Sequence, residues 1–434
     1  MALLIARRWR DPLVVTAVVW VIAVVLTLPL PRVDGHLVGS DGLRYFATLR
    51  SLVFDRDLDM TNDYRLLGVP AQERTPRGLP ANPFPIGPAL LWLPFYLVAC
   101  ALAAGLAAVG VPIVLHGVGF VYEAPVCLAS ALAAGVAFLV LRPGIVRRGG
   151  AEAGNATLAC FALAWATPAL YYAIAEPSMS HALSLFSNAV FLRVWLEREN
   201  SFDARRMMGV GAAAALCALV RWQDAVVLAA PLVELVSAAA SPRLPPWSAA
   251  RAGGLLLATF GAGMIPQFVE WRAVYGAWLV LPQGAGFFSP HPHVIETLLS
   301  LRHGLLTWHP IFLLPLLGLL AVPAGKGRLA LTIGLVFALT LWINASVERW
   351  WADDAFGGRR FVSLIPWLAF PAAWGLEWLR SRVTARAIVT CMLALVLWNG
   401  LLFVQYRLGW ISRSEAPTWR QFTIDRLLLR RPAP

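Results

Sequence analysis

Asp41 stands in Ser40-Asp41-Gly42, one loop past the first long apolar stretch, and opens the run Gly42-Leu-Arg-Tyr-Phe-Ala-Thr-Leu-Arg-Ser-Leu-Val-Phe54. Leu43, Phe46, Leu49 and Leu52 recur there at helical spacing, as in a helix lying on a membrane surface. A carboxylate at the N-terminus of such a helix, just outside a bilayer, can act as a base on a substrate delivered by a lipid. It can also cap the helix by accepting from orphan amides, and the two roles are compatible. Two other groupings invite a metal. Asp55, Asp57, Asp59 and Asp63 imitate the start of a calcium loop, but Met60 occupies the glycine position and no glutamate closes it, so solvation of a charged loop accounts for them better. His291-Pro-His293 holds two imidazoles that need not converge on one ion. No cofactor is assigned from these residues, and a divalent metal stands as the weaker alternative.

These residues must be positioned by a chain that is 59% hydrophobic and only 14% charged, with a mean hydropathy of +0.67. Soluble domains carry about 25% charged residues, so an all-α polytopic membrane protein is expected, a single domain over 1–434. The formal charge of +12 is spread between apolar spans and is almost all arginine, Lys326 being the only lysine. That distribution excludes a nucleic-acid partner and points to membrane lipids. The cysteines Cys100, Cys127, Cys160, Cys217 and Cys391 fall in apolar segments and read as buried thiols, not a disulfide framework. The stretch Leu13 to Leu30 follows Arg7, Arg8 and Arg10 like a signal sequence but lacks a small-residue cleavage site, so it reads as a retained helix.

Hydropathy places about eleven spans, near 13–31, 118–141, 155–174, 181–196, 208–222, 225–240, 250–270, 309–323, 328–345, 362–379 and 385–406. Their connections alternate. Short arginine-bearing ones, at Arg7 to Arg10, Arg142 to Arg148, Arg193 to Arg206, Arg243 to Arg251, Lys326 to Arg328 and Arg380 to Arg386, are cytoplasmic by the positive-inside rule. The others hold all seven histidines. The expected outer segments are a long first loop over 32–117 with juxtamembrane helices, the loops 271–308 and 346–361, and a tail over 407–434. A plasma-membrane location, a cytoplasmic N-terminus and an extracytoplasmic site follow. Pro83 to Val109 is apolar enough to span, but Pro83, Pro85, Pro88 and Pro94 crowd its start and Arg142 to Arg148 would then lie outside. It is read as a membrane-dipping hairpin or juxtamembrane helix, with a true span as the alternative.

One helix followed by a long outer loop that opens on an acidic residue resembles the GT-C superfamily of integral-membrane glycosyltransferases, which use polyprenyl-phosphate sugars. Asn82-Pro-Phe-Pro-Ile-Gly-Pro-Ala-Leu-Leu-Trp92 resembles the proline-rich juxtamembrane segment of protein O-mannosyltransferase-like and aminoarabinose-transferase-like members. Tyr171-Tyr172 with Glu176-Pro-Ser-Met-Ser-His181 looks like the outer end of a helix pair in those proteins. Gln283-Gly-Ala-Gly-Phe-Phe288, Arg302-His-Gly-Leu-Leu-Thr-Trp-His-Pro310 and Trp350-Trp351 with Phe356-Gly-Gly-Arg-Arg360 are similar to blocks in bacterial members. The resemblance implies an inverting transferase in which Asp41 is general base and a polyprenyl-phosphate sugar is the donor. The acceptor would be a glycan, lipid or protein hydroxyl.

A lipid phosphate needs cations at the outer interface, and the arginine fork meets phosphate oxygens bidentately. Arg359 and Arg360 after a Gly-Gly pair, Arg302 with His303, and Arg221 are the candidates, Arg221 having the alternative of pairing with Asp224. Tyr45, His181, Gln283, Trp308, Trp350 and Trp351 are candidate substrate contacts, the tryptophans alternatively forming an interfacial belt. Two rival functions remain. A transporter or flippase of a lipid-linked glycan should show an internal repeat and polar residues near mid-membrane, neither of which the sequence displays. A non-catalytic assembly partner would keep the fold alone.

Overall fold

A computed structural model describes residues 11–30, 35–70, 72–198, 201–240 and 245–431. Arg7, Arg8, Arg10 and Arg243, which entered the topology argument, lie outside the described residues, as do the first residues of the 32–117 loop and the last of the tail. All regular structure among the described residues is helical, and only two isolated bridges, Arg74 with Pro80 and Phe288 with Val347, pair strand-like. The fold is that of a polytopic helical membrane protein.

The first helix, Pro12–Thr27, is started by Asp11, whose carboxylate accepts from Leu13 N at 3.0 Å, and by Pro12, placed where a missing N–H costs nothing. It runs antiparallel to Phe120–Arg147. Asp11 pairs with Arg142 at 2.6 Å, Ala17 lies against Gly135, and Trp20 packs edge-on to Phe138.

Every expected apolar segment is helical, but several are not single rods. The 155–174 segment divides into Ala153–Trp165 and Ala169–Ile174 ahead of Pro168, and 250–270 bends by 45° between Pro246–Gly263 and Ile265–Tyr275. Among the described residues five helices are long and apolar enough to cross a membrane, or six with the bent pair, against the eleven expected; three more are apolar but shorter. The shortfall has a physical source. Ser180–Glu197 and Ile365–Arg380 are buried along most of their length by neighbouring helices. Polar groups facing protein instead of lipid can be satisfied internally, so such helices need not be uniformly apolar.

Pro83 to Val109 is not a hairpin. Gly87–Ala108 is one continuous helix whose length and hydropathy match a span. Pro83 and Pro85 precede it, Pro88 occupies its tolerant first turn, and only Pro94 lies inside. Trp92 on this helix donates to Ser130 Oγ at 2.8 Å, and Tyr96 donates to Gly117 O at 2.6 Å. Asp41–Arg50 packs beside it, with Tyr45 edge-on to Trp92 and Phe46 edge-on to Tyr96. A single π-turn, Ser51–Asp55, extends the Asp41 helix.

Candidate active site

Three contacts fix where Asp41 sits. Glu123, in the first turn of Phe120–Arg147, accepts from Leu37 N at 2.6 Å, Val38 N at 3.3 Å and Gly119 N at 3.0 Å, and touches His36 Nδ1 at 3.0 Å. One carboxylate thus caps its own helix and anchors the loop that leads to Asp41. Ser178 Oγ accepts from Gly39 N at 3.1 Å, and a Cβ on Gly42 would overlap Ser178, so only glycine permits this approach. Ser40 turns the chain with φ +55, a strained conformation for a non-glycine residue held by the anchored loop on one side and the helix on the other. Replacing Glu123 with Ala strands three backbone donors. The expected cost is about 1–3 kcal/mol per unsatisfied buried group, read as a lower melting temperature in detergent; an unchanged melting temperature would show that the loop is held by something else.

Asp41 is the first residue of its helix, and the N-cap Ser40 before it makes no side-chain capping hydrogen bond. Among the described residues the Asp41 carboxylate accepts no hydrogen bond at the helix start. Its carboxylate is about a quarter exposed, at 28%, and its nearest ionic partner is Arg359, with Nη2 at 4.0 Å from Oδ2. The helix therefore does not use Asp41 as a cap, and the carboxylate stays open to a reacting group.

Arg359 and Arg360 begin the short turn Arg359–Leu364 that feeds Ile365–Arg380. Gly357 before them has φ +58 and lies against His309, leaving no room for a side chain. Arg359 reaches over Met179, with Nη1 at 4.0 Å from Sδ. Tyr172 beneath it accepts from Phe356 N at 2.9 Å, Tyr171 stacks on Phe356 at 4.6 Å, and the Tyr171 hydroxyl donates to Glu176 at 2.9 Å. Burial works against the Arg359 charge, but Asp41, Tyr172 and Glu176 outweigh it and push its pKa up. Burial pushes the Glu176 carboxyl up. For Arg360, burial and then the adjacent Arg359 and Arg221 push the pKa down to about 9. Its Nη1 is sealed from solvent with no hydrogen-bond partner. Asp353 does not serve it, being paired with Arg349 at 3.3 Å.

Arg221 follows the Ala204–Val220 helix and donates to His181 Nδ1 at 2.7 Å. The Asp224 carboxylate takes its hydrogen bonds from Ser184 and from Asn188 at 3.3 Å, so it supports the Arg221 guanidinium through charge. The direct contact between the two residues is the backbone bond from Asp224 N to Arg221 O at 2.8 Å. Tyr45, one turn beyond Asp41, is bonded to Ser180, and its phenol is pushed up first by burial and then by the Asp41 charge. The structure thus brings Asp41, Tyr45, His181, Arg221, Arg359 and Arg360 together, drawn from four separate elements.

The other candidates lie apart from this cluster. Arg302 stacks on Trp351 at 4.2 Å and donates to Ser414 O at 2.6 Å, tying the 271–308 segment to the C-terminal tail. Trp308 is fully buried among Phe356, Tyr406 and Phe422 and donates to Leu301 O, so it has no open face for a sugar. Trp350 is edge-on to Trp351 and tilted against His293. Gln283 donates to Pro83 O at 3.0 Å, bracing the proline-rich segment.

His303 sits buried with φ +64, and its Nδ1 lies 2.7 Å from Trp351 O, which can only accept. Burial pushes this imidazole down to about 4 from its ordinary 6.5. Between those pH values the unfolded chain binds a proton that the folded one refuses. Stability contributed here is therefore full above pH 6.5 and falls as pH drops toward 4. The melting temperature should decline over that window, and His303→Gln should flatten the decline; an identical slope in the variant would clear His303 of any part in it.

The acidic run is organised around Arg50. Arg50 meets Asp63 at 2.6 Å and Asp55 at 2.7 Å and donates to His116 O, while Asp57 and Asp59 accept from Ser51 and Thr61. Among the described residues no group of three or more His, Cys, Asp or Glu side chains is placed to hold a metal ion.

Sequence reasoning did not single out Glu123, Tyr172, Ser178 or Glu176 as parts of the site. Tyr172, Glu176 and Ser178 stood inside the quoted motif without a role, and only the fold places Glu176 near Arg359. Glu123 had a legible signal, an acid in the first turn after Gly119, yet its second task for residues 37 and 38 is non-local.

No family model matches this sequence, and no curated protein does. Among solved structures the chain is similar to the crystal structure of ArnT from Cupriavidus metallidurans bound to undecaprenyl phosphate, with a TM-score of 0.51 and 16% sequence identity over 98% of this chain and 73% of that one. The likeness shows a fold shared with that membrane protein.

Proposed function

We propose that the protein is an inverting glycosyltransferase that moves a sugar from a polyprenyl-phosphate donor to a hydroxyl at the outer face of the plasma membrane. One observation carries this reading: a solvent-reachable carboxylate, Asp41, faces a half-buried guanidinium pair, Arg359 and Arg360, and the sealed Nη1 of Arg360 has no hydrogen-bond partner among the described residues. A base beside a pair of guanidinium groups suits transfer from a phosphate leaving group. The fold, shared with a protein crystallised with undecaprenyl phosphate, supports the choice of lipid.

In the proposed reaction the acceptor hydroxyl donates its proton to Asp41 as its oxygen attacks the anomeric carbon. The bond from that carbon to the phosphate oxygen breaks, and its electron pair leaves with the phosphate. Arg359 and Arg360 stabilise the charge that develops there, where burial strengthens the interaction. Attack opposite the leaving group inverts the anomeric centre. Orientation with the N-terminus cytoplasmic follows the arginine-bearing loops. The 2.6 Å pair of Arg142 with Asp11 keeps the end of Phe120–Arg147 on the side where Pro12–Thr27 begins, so Gly87–Ala108 does not reverse that assignment. The acceptor class is a glycan, lipid or protein.

The test is turnover of polyprenyl-phosphate sugars by the purified protein with cell-envelope acceptors, read by mass spectrometry as free polyprenyl phosphate and a glycosylated product. The reading expects both, with an inverted anomeric centre. Release of neither across a panel of hexosyl and pentosyl donors would overturn it. Mass analysis of envelope glycans from a deletion strain would identify the acceptor.

A further inference from the structure

Arg221 has been treated so far as a possible phosphate ligand, but its geometry assigns it a different partner. Its Nη1 lies 2.7 Å from His181 Nδ1. A guanidinium has five N–H donors and no acceptor, and it stays protonated in proteins. The contact is a hydrogen bond only if Nδ1 presents its lone pair, and a neutral imidazole with that lone pair carries its proton on Nε2. An imidazolium would set N–H against N–H at that distance. The charges acting on the ring are Arg221, Arg359 and Arg360, all cationic, with the ring of Tyr172 packed against it at 4.4 Å. Asp224, itself held by Ser184 and Asn188, keeps the Arg221 charge in place from behind.

We propose that Arg221 is a positioning residue that locks His181 as a neutral Nε2–H tautomer, and that His181 donates this hydrogen bond to an oxygen of the sugar-phosphate donor. The inference rests on the transferase reading for its ligand, whereas the tautomer stands on the structure alone. It separates two roles a histidine beside a catalytic carboxylate could take. Acid–base work requires a ring that gains and loses a proton; His181 keeps one proton on one nitrogen throughout and contributes by binding. It also sorts the three arginines, leaving Arg359 and Arg360 for the phosphate and Arg221 for the imidazole. No other protein acceptor takes the Nε2–H of His181 among the described residues, which leaves it for the donor.

The full-length protein labelled with 15N-histidine in nanodiscs gives the first test, with the His181 signals assigned by difference against His181→Gln. The expected spectrum has a protonated Nε2 and an unprotonated Nδ1, unchanged from pH 5 to 8. In Arg221→Gln the protonated-Nδ1 form should appear. A protonated Nδ1 in the wild type, or a titration within that range, overturns the assignment. This readout needs no turnover, so it can fail or succeed independently of the transferase reading. The second test uses activity. A Gln amide places an N–H near the Nε2 position, and an Asn amide reaches only the Nδ1 position. His181→Gln should keep donor KM within roughly tenfold, and His181→Asn should raise it about ten- to a hundredfold, the value of a lost charged-group hydrogen bond. The pH–rate profile of His181→Gln should overlay that of the wild type. The reverse order of the two variants, or loss of a pH limb in His181→Gln, contradicts the proposal.

Discussion

Asp41→Asn is expected to lower kcat by about 10²–10⁴-fold, the usual contribution of a general base, while leaving donor KM close to that of the wild type. The split follows from the geometry. The carboxylate takes the acceptor's proton only as the new bond forms, so its loss is felt in the transition state and not in donor binding. Folding should survive, because Asp41 carries no capping hydrogen bond and its Arg359 contact is a loose 4.0 Å. The melting temperature should therefore match the wild type within a degree or two of measurement scatter. Turnover of Asp41→Asn near the wild-type rate would remove the base from the mechanism and leave Asp41 as a residue of the helix start alone.

Arg359→Gln and Arg360→Gln are expected to raise donor KM by about ten- to a hundredfold each, since a charged hydrogen bond is worth roughly 1.5–3 kcal/mol. The two should differ in stability. Arg360 has an unpartnered buried nitrogen and a pKa pushed down to about 9 by burial and its neighbours, so neutralising it relieves a buried charge. Its melting temperature should hold or rise. Arg359 is held by Asp41, Tyr172 and Glu176, and its loss leaves the half-buried Glu176 with Arg413 as its remaining nearby cation. Its melting temperature should fall. An unchanged donor KM in both variants would take the pair out of the phosphate site, and a fall in stability for Arg360→Gln would reveal a structural partner instead.

Much of this architecture was legible in the chain because its signals are local. Apolar segments, arginine-bearing connections and the amphipathic run after Asp41 depend on neighbours within a turn or two, and each segment is helical in the structure. Asp41, Arg359 and Arg360 could be nominated by residue type beside a turn or a Gly-Gly pair. Other features depend on distant partners. The proline-rich start of Gly87–Ala108 suggested a broken helix, yet tertiary packing of Trp92 and Tyr96 against the Asp41 and Phe120 helices sustains one rod. Arg221 and Asp224, three residues apart, looked like a pair; residues from other helices, His181 and Ser184, claim them instead. Trp308 fell in a quoted motif beside His309, but aromatic partners more than forty positions away at Phe356, Tyr406 and Phe422 make it core. Periodicity finds the helices, and it does not say which buried side chains meet.

The most direct measurement is a cryo-electron microscopy structure of the Asp41→Asn protein in a nanodisc with a polyprenyl-phosphate sugar, the substitution serving to hold the donor unreacted. The account predicts the phosphate within hydrogen-bond distance of Arg359 and Arg360, with the sugar between it and residue 41. A donor phosphate bound elsewhere, with Arg360 still unpartnered beside an empty site, would contradict it.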